Sequence, residues 1–326
     1  MKPTLKEPRD SWEIMERCCL SSILEVSASP KPGNMHRFTQ PGTYGASFEQ
    51  FMAAIAAISP VYYQVAEVAM KTGTESFTMN HIHLGFHFKD AMIRMLQSQS
   101  GGNLLLGHIL LLVPLAAGTG YMRGSGWNAS KPANIVELGA VSRNIIQEGT
   151  TADVIAMYEG MREVQPGGLG KVEKLDINSK HFRKELHERE ATFIDVFAPS
   201  AHMDLVSREL TGGFRITTKE TFPLIQESLT HGLDVNDAIV HSFVGLLSRH
   251  PDSLIWRKNG KERAMEVSSK AREAIDEGGM RTNLGRMKIK DLDLWLASTK
   301  GKLNPGTTAD LIAAGIFMLL STGFIP

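Results

Sequence analysis

Two polar turns, one near each end of the chain, hold the residue types best suited to chemistry. Ser29-Pro30-Lys31-Pro32-Gly33-Asn34-Met35-His36-Arg37 follows an apolar helical segment, and Asn304-Pro305-Gly306-Thr307-Thr308-Ala309-Asp310 opens the last one. Prolines on both sides of Lys31 stiffen the backbone, and Gly33 admits conformations closed to other residues. Such a turn suits an anion, with Lys31 as a point charge and Arg37 as a planar fork for phosphate oxygens. The plain alternative is a helix-to-helix turn carrying surface charge. Asp310 also reads two ways. It is either a capping residue worth ~1 kcal/mol, or a carboxylate that binds a divalent ion at a helix start.

Other clusters share this ambiguity. The stretch His250-Pro251-Asp252-Ser253-Leu254-Ile255-Trp256-Arg257-Lys258 places Asp252, a metal-ligand type, near Arg257 and Lys258, which suit phosphate. A solvated loop would look the same. Asp204, Arg208 and Glu209 share one helical face, as an internal salt bridge or as the lining of a metal–phosphate site. Gly101-Gly102-Asn103 precedes a helix and can bring backbone N–H groups to an anion, although a tight turn suffices. Gln165-Pro166-Gly167-Gly168-Leu169-Gly170 lacks the lysine-serine ending of a P-loop and follows a helix, so it reads as a loop. His83 and His87 have zinc spacing on one helical face, but no third ligand is evident.

The elements that position these groups read as helices almost throughout. Asp10 and Glu13 suit a capping box for a helix whose stripe is Trp12, Met15, Cys19, Ile23 and Val26; Ser47 and Gln50 suit the next. Asp234 precedes Ile239, Val240, Phe243, Val244 and Leu247 at helical spacing, and Lys261 to Glu277 closes on Gly278-Gly279. Only Phe214 to Thr217 reads as strand-like. Gly149-Thr150-Thr151-Ala152-Asp153 returns as Gly306 to Asp310, and a capping box used twice explains it. The charge-dense segment from Lys171 to Arg189 reads as a solvated helix and connection. An all-α fold follows, a single multi-helix domain over 1–326 with a polar cleft formed by interhelical loops.

Composition narrows the function. The 326 residues are 42% hydrophobic and 21% charged, and 35 Lys+Arg balance 35 Asp+Glu. No global field steers the chain to nucleic acid or a membrane surface. The 2 cysteines, Cys18 and Cys19, are adjacent in an apolar pattern and read as core. Leu104 to Ala117 and Leu311 to Pro326 fall short of the roughly 20 apolar residues that span a bilayer. The N-terminus lacks a signal-peptide run, so a cytoplasmic location is expected. Apolar helices of this kind serve equally within one subunit or across a homodimer.

Taken in order, Lys31-Pro32-Gly33-Asn34-x-His36-Arg37, Gly102-Asn103-x-x-x-Gly107, Pro166-Gly167-Gly168-Leu169-Gly170, Pro251-Asp252-Ser253-Leu254-Ile255-x-Arg257-Lys258 and Asn304 to Asp310 resemble the triphosphoribosyl-dephospho-CoA synthase family. Histidine before the arginine is similar to its archaeal-type branch. The resemblance implies an all-helical fold and transfer of the 5-triphosphoribosyl group of ATP to the 2′-hydroxyl of 3′-dephospho-CoA or a related acceptor, releasing adenine. It implies nucleotide contacts at Lys31, Gly33, Arg37, Asn103, Arg257, Lys258, Thr307 and Thr308. It further implies Mg²⁺ or another divalent ion at Asp252, Asp310 and Asp204, and proton transfer by Asp252, Asp310 or His36. Relatives usually carry polar residues where this chain has Leu104 and Leu105. That difference favours a second reading, a catalytically reduced nucleotide-binding relative; a third is a metal-dependent N-glycosyl hydrolase, with water replacing the acceptor alcohol.

Overall fold

A computed structural model describes residues 10–40, 43, 45–126, 134–167 and 174–326. Gly168 to Gly170 of the glycine-rich loop therefore lie outside the described residues. Fifteen α-helices are present among the described residues: α1 (Asp10–Ser27), α2 (Phe48–Thr74), α3 (Leu84–Gln97), α4 (Leu106–Gly124), α5 (Asn134–Gln147), α6 (Thr151–Val164), α7 (Phe182–Glu188), α8 (Phe193–Phe197), α9 (Leu205–Gly212), α10 (Phe222–Thr230), α11 (Val235–Arg249), α12 (Ser253–Asn259), α13 (Lys261–Asp276), α14 (Asn283–Ser298) and α15 (Gly306–Ser321).

The all-α expectation holds, and no strand occurs among the described residues. Of Phe214 to Thr217, expected as strand-like, Phe214 is a bend and the other three residues are helical. Phe214 takes a left-handed conformation, with φ of 55°. The buried Glu209 carboxylate then accepts the N–H groups of Ile216 (2.8 Å) and Thr217 (2.7 Å), starting a π-helical turn over Thr217–Thr221. An acceptor from the preceding helix α9 outweighs the strand propensity of Ile and Thr.

The architecture follows from two helices too apolar to face water. α4 is buried from His108 to Gly120, and α15 is buried at nearly every position. They touch each other. α1, α2, α3 and α5 pack on α4, while α1, α10, α11 and α12 pack on α15. Two stretches short of a bilayer's thickness thus form the middle of one contiguous apolar core. By length and composition alone, α2 is long and apolar enough to cross a membrane; in this fold it packs against α1, α3 and α4.

Local signals set several ends. Ser47 and Gln50 form the expected capping box of α2, Asp234 accepts the Asp237 N–H at the start of α11, and Gly278 ends α13 with φ of 96°. On α1 the stripe is rotated from its expected place. Trp12 is 54% exposed, and the buried face runs through Ile14, Cys18, Ser21, Ser22, Glu25 and Val26. Asp10 and Glu13 bond Arg123 at the end of α4, both at 2.9 Å.

The turn after α1 is clamped from three sides. Asn236 of α11 accepts the Ser29 N–H (2.9 Å) and donates to the Ser29 carbonyl (2.8 Å), Asp293 of α14 accepts the Gly33 N–H (3.0 Å), and Asn34 donates to Asn304 (2.8 Å). The last contact joins the two polar turns. Gly33 has φ of 70°, and a Cβ there would lie 2.7 Å from Leu296 Cβ. Backbone strain and overpacking together give Gly33→Ala an expected cost of about 2–4 kcal/mol. Urea unfolding should show it as a lower midpoint at unchanged slope.

Candidate active site

Lys31 points inward. It is fully buried, and its Nζ donates to the Glu25 carbonyl (2.8 Å) while pairing with the Glu25 carboxylate. Across Glu25 stands His108, the third residue of α4. Its Nε2 lies 3.4 Å from Glu25 Oε2 and 3.7 Å from Asp310 Oδ1, and its Nδ1 lies 3.0 Å from Ser22 Oγ. Ionisable groups from α1, the first turn, α4 and α15 therefore meet at one point. Burial pushes the Glu25 carboxyl up, but Lys31 and His108 outweigh it and hold the group below the usual carboxylate range. Burial holds the Lys31 ammonium below its ordinary value, opposed by Glu25 and Asp310.

The two Gly-Thr-Thr-Ala-Asp segments part company here. At the first copy the capping box forms: Asp153 Oδ2 accepts the Thr150 N–H (2.9 Å) and hydroxyl (2.6 Å). At the second copy the helix starts earlier, at Gly306, with Pro305 at the cap position and no side-chain cap. Asp310 thus lies a full turn inside α15 and caps nothing. The expectation of a capping box used twice holds only at Thr150.

Another residue has taken over the cap. Asp252 Oδ1 accepts the N–H groups of Leu254 (2.8 Å) and Ile255 (3.1 Å), and its Oδ2 accepts the N–H (2.7 Å) and hydroxyl (2.8 Å) of Thr308. One carboxylate closes the starts of both α12 and α15. Burial raises the Asp252 carboxyl even against these donors.

The freed Asp310 carboxylate rests on α4, where only glycine leaves room. A Cβ on Gly107 would lie 2.0 Å from Asp310 Oδ2. Its side chain keeps 19% of its surface open. Burial, with the nearby charges of Glu25, Asp252 and Asp204, pushes this carboxyl well above the usual range, and Arg257 opposes them. A carboxyl in that state is a stronger base than one in water.

The remaining expected residues are placed as follows. Asp204 caps α9 through the Ser207 N–H (2.8 Å) and pairs with Arg257. Arg208 donates to the carbonyls of Ala201 and His202 (2.9 Å each), so Asp204, Arg208 and Glu209 form no internal salt bridge. The Arg257 guanidinium is partly open, and its Nε is buried without a partner. Lys258 is exposed, and Thr307 is buried beside Thr308. Arg37 is exposed and donates to Asn236 (3.3 Å). Asn103 is exposed and accepts the Leu106 N–H (3.3 Å). Leu105 is in the core, and Leu104 packs against it. A depression of about 580 Å³ lies elsewhere, lined by Thr150, Thr151, Ala152, His187, Glu188 and Glu190.

His36 staples its own turn. Its Nδ1 accepts the Phe38 N–H (3.2 Å), leaving the proton on Nε2, which faces Asp293 at 3.9 Å. Burial, then the charges of Lys31 and Arg37, lower the ring to about 4. An unfolded histidine titrates near 6.5, so the native ring binds fewer protons than the unfolded one between those values. Its contribution is complete above the higher value and is lost as pH falls through the window. Relative to His36→Gln, the wild type should lose stability as pH drops from about 6.5 toward 4, measured by urea unfolding at several pH values.

Residues 11–323 match the family described as ATP:dephospho-CoA triphosphoribosyl transferase. The chain belongs to this family. Relatives of Azotobacter vinelandii and Pseudomonas fluorescens, both named as a 2-(5''-triphosphoribosyl)-3'-dephosphocoenzyme-A synthase, are each 27% identical over 110 residues, 34% of this chain. That stretch spans 37% of the length of either relative. A crystal structure described as a triphosphoribosyl-dephospho-CoA synthase from Archaeoglobus fulgidus has a TM-score of 0.60 and 25% identity, covering 84% of this chain and 100% of that one.

Within this family member, sequence reasoning missed Glu25, His108 and Asp293. Glu25 and His108 each left a signal: an ionisable residue set inside an apolar helical run is either paired or functional. Asp293 sits among other charges on α14 and left none.

Proposed function

We propose that the chain transfers the 5-triphosphoribosyl group of ATP to the 2′-hydroxyl of 3′-dephospho-CoA or a related CoA-like acceptor. The observation that carries this reading is the uncapped Asp310 carboxylate, held on Gly107 at the meeting point of the family's first, second, fourth and last motifs. In the transfer the ribose C1′–N9 bond breaks and the acceptor oxygen bonds to C1′. Asp310 takes the hydroxyl proton, and the departing adenine takes one up. Charge develops on the ribose as in glycoside cleavage, and the triphosphate serves as a handle for positioning. Arg257, Lys258 and Arg37 are the cations open to that handle. Lys31 acts at one remove, as a buried charge beside Glu25 and Asp310.

The family resemblance implies a divalent ion, and the donor set does not fit a caged one. Both Asp252 oxygens and both Asp204 oxygens are taken by protein donors. Among the described residues, no group of three or more His, Cys, Asp or Glu is arranged to hold a metal. His36 has its Nδ1 lone pair taken and its proton on Nε2, which leaves Asp310 as the base in this reading. Leu105 lies in the core and Leu104, partly buried, packs against it.

The test is adenine release from ATP and Mg²⁺, with and without dephospho-CoA. Release that requires acceptor supports transfer. Release without acceptor indicates hydrolysis, and no release leaves a binding role.

A further inference from the structure

Resting on that reading, we propose that His108 is the positioning residue of Asp310, its ring holding the carboxylate in the orientation that meets the acceptor hydroxyl. The ring is anchored on one edge by Ser22 and presents the other edge to Glu25 and Asp310 at once. Asp310 makes no cap, so no capping bond of its own helix fixes its carboxylate. A base displaced by about 1 Å can lose on the order of 10²-fold in rate.

The molecule contains its own control. Leu84-Gly85-Phe86 opens α3 as Leu106-Gly107-His108 opens α4. Each glycine lies against the aspartate of a Gly-Thr-Thr-Ala-Asp segment. A Cβ on Gly85 would lie 1.9 Å from the Asp153 carbonyl oxygen, and one on Gly107 would lie 2.0 Å from Asp310 Oδ2. At the first seat Asp153 is bound by Thr150 and by the Gly85 N–H (3.0 Å), and Phe86 is 53% exposed. At the second seat the cap has moved to Asp252, and the residue after the glycine is a buried histidine. The seat with the freed carboxylate is the one that carries a buried ring beside it.

The charged groups facing Asp310 come from every neighbouring segment: His108 of α4, Glu25 of α1, Lys31 of the first turn, Asp252 and Arg257 at α12, and Asp204 before α9. Of these, His108 is the one within ion-pair distance that rests on no charged partner besides carboxylates.

The test compares His108→Gln, His108→Asn and His108→Phe for kcat and for KM of ATP and dephospho-CoA, with thermal melts to confirm folding. A glutamine amide reproduces a donor near Nε2, and an asparagine amide reproduces one near Nδ1. Positioning of Asp310 predicts that kcat falls by about 100-fold in the phenylalanine variant, with little change in KM. Glutamine should recover more of the rate than asparagine. A purely structural role through Ser22 predicts the reverse order, which would overturn the proposal, as would full turnover in a folded His108→Phe protein. Gly107→Ala leaves the ring in place and should give the same kcat loss by displacing the carboxylate. If the wild type releases no adenine with dephospho-CoA, the functional reading fails separately. Crystal structures of wild type and His108→Asn then decide: a shifted Asp310 carboxylate supports positioning, and an unmoved one refutes it.

Discussion

Asp310→Asn is expected to reduce the rate of adenine release by on the order of 10³-fold, a loss typical of removing a positioned base. In the proposed mechanism Arg257, Lys258 and Arg37 hold the triphosphate, so KM for ATP should change little. Asparagine is isosteric and fits over Gly107 where a larger side chain would not. Steady-state kinetics with chromatographic detection of adenine gives both constants. A variant that turns over at the wild-type rate would remove the base from the proposed mechanism.

The same substitution should stabilise the folded protein at neutral pH. Burial and three neighbouring carboxylates push the native Asp310 carboxyl well above its ordinary value. A carboxyl raised in the native state binds protons there that the unfolded chain has already released. The stability it contributes is complete below the unfolded pKa of about 3.9 and is lost as pH rises through the native value. Asparagine has no charge to bury. The variant should therefore melt above wild type at pH 7, with the gap closing as pH falls toward 4. Higher stability joined to lost turnover is what a strained functional carboxylate predicts.

Much of this arrangement was legible in the residues, and the illegible parts share one cause. Helical class, the Ser47 box, the Asp234 cap and the Gly278 stop depend on contacts within a few residues, so spacing alone shows them. What spacing could not show is which group answers a local demand when one from another element competes. Thr307 to Asp310 has the same letters as Thr150 to Asp153, yet Asp252, 56 positions before Thr308, takes the capping bonds. Phe214 to Thr217 carries strand-forming side chains, yet Glu209 supplies the acceptor that makes its last three residues helical. Lys31 read as a phosphate-binding or surface charge because its partner, Glu25, belongs to the preceding helix and faces the core.

Asp252 shows how two aspartates of equal promise in sequence should separate by experiment. Its four acceptor bonds go to Leu254, Ile255 and Thr308, and all of these partners are main-chain N–H groups except the Thr308 hydroxyl. An asparagine there has one oxygen and one amide nitrogen. In one orientation its N–H groups face those of Leu254 and Ile255; in the other they face the N–H of Thr308, which cannot turn away. Either way buried donors meet donors, each unmet group costing about 1–3 kcal/mol. Asp252→Asn should therefore lose about 3 kcal/mol or more. The start of α15 would come loose, and with it the turn that presents Asp310. Turnover should fall together with stability, the opposite of the pairing expected for Asp310→Asn. Chemical denaturation of the two variants beside wild type at pH 7 makes the comparison. An Asp252→Asn protein as stable as wild type would mean that α15 is held by its apolar packing alone, and that Asp310 does not depend on the clamp.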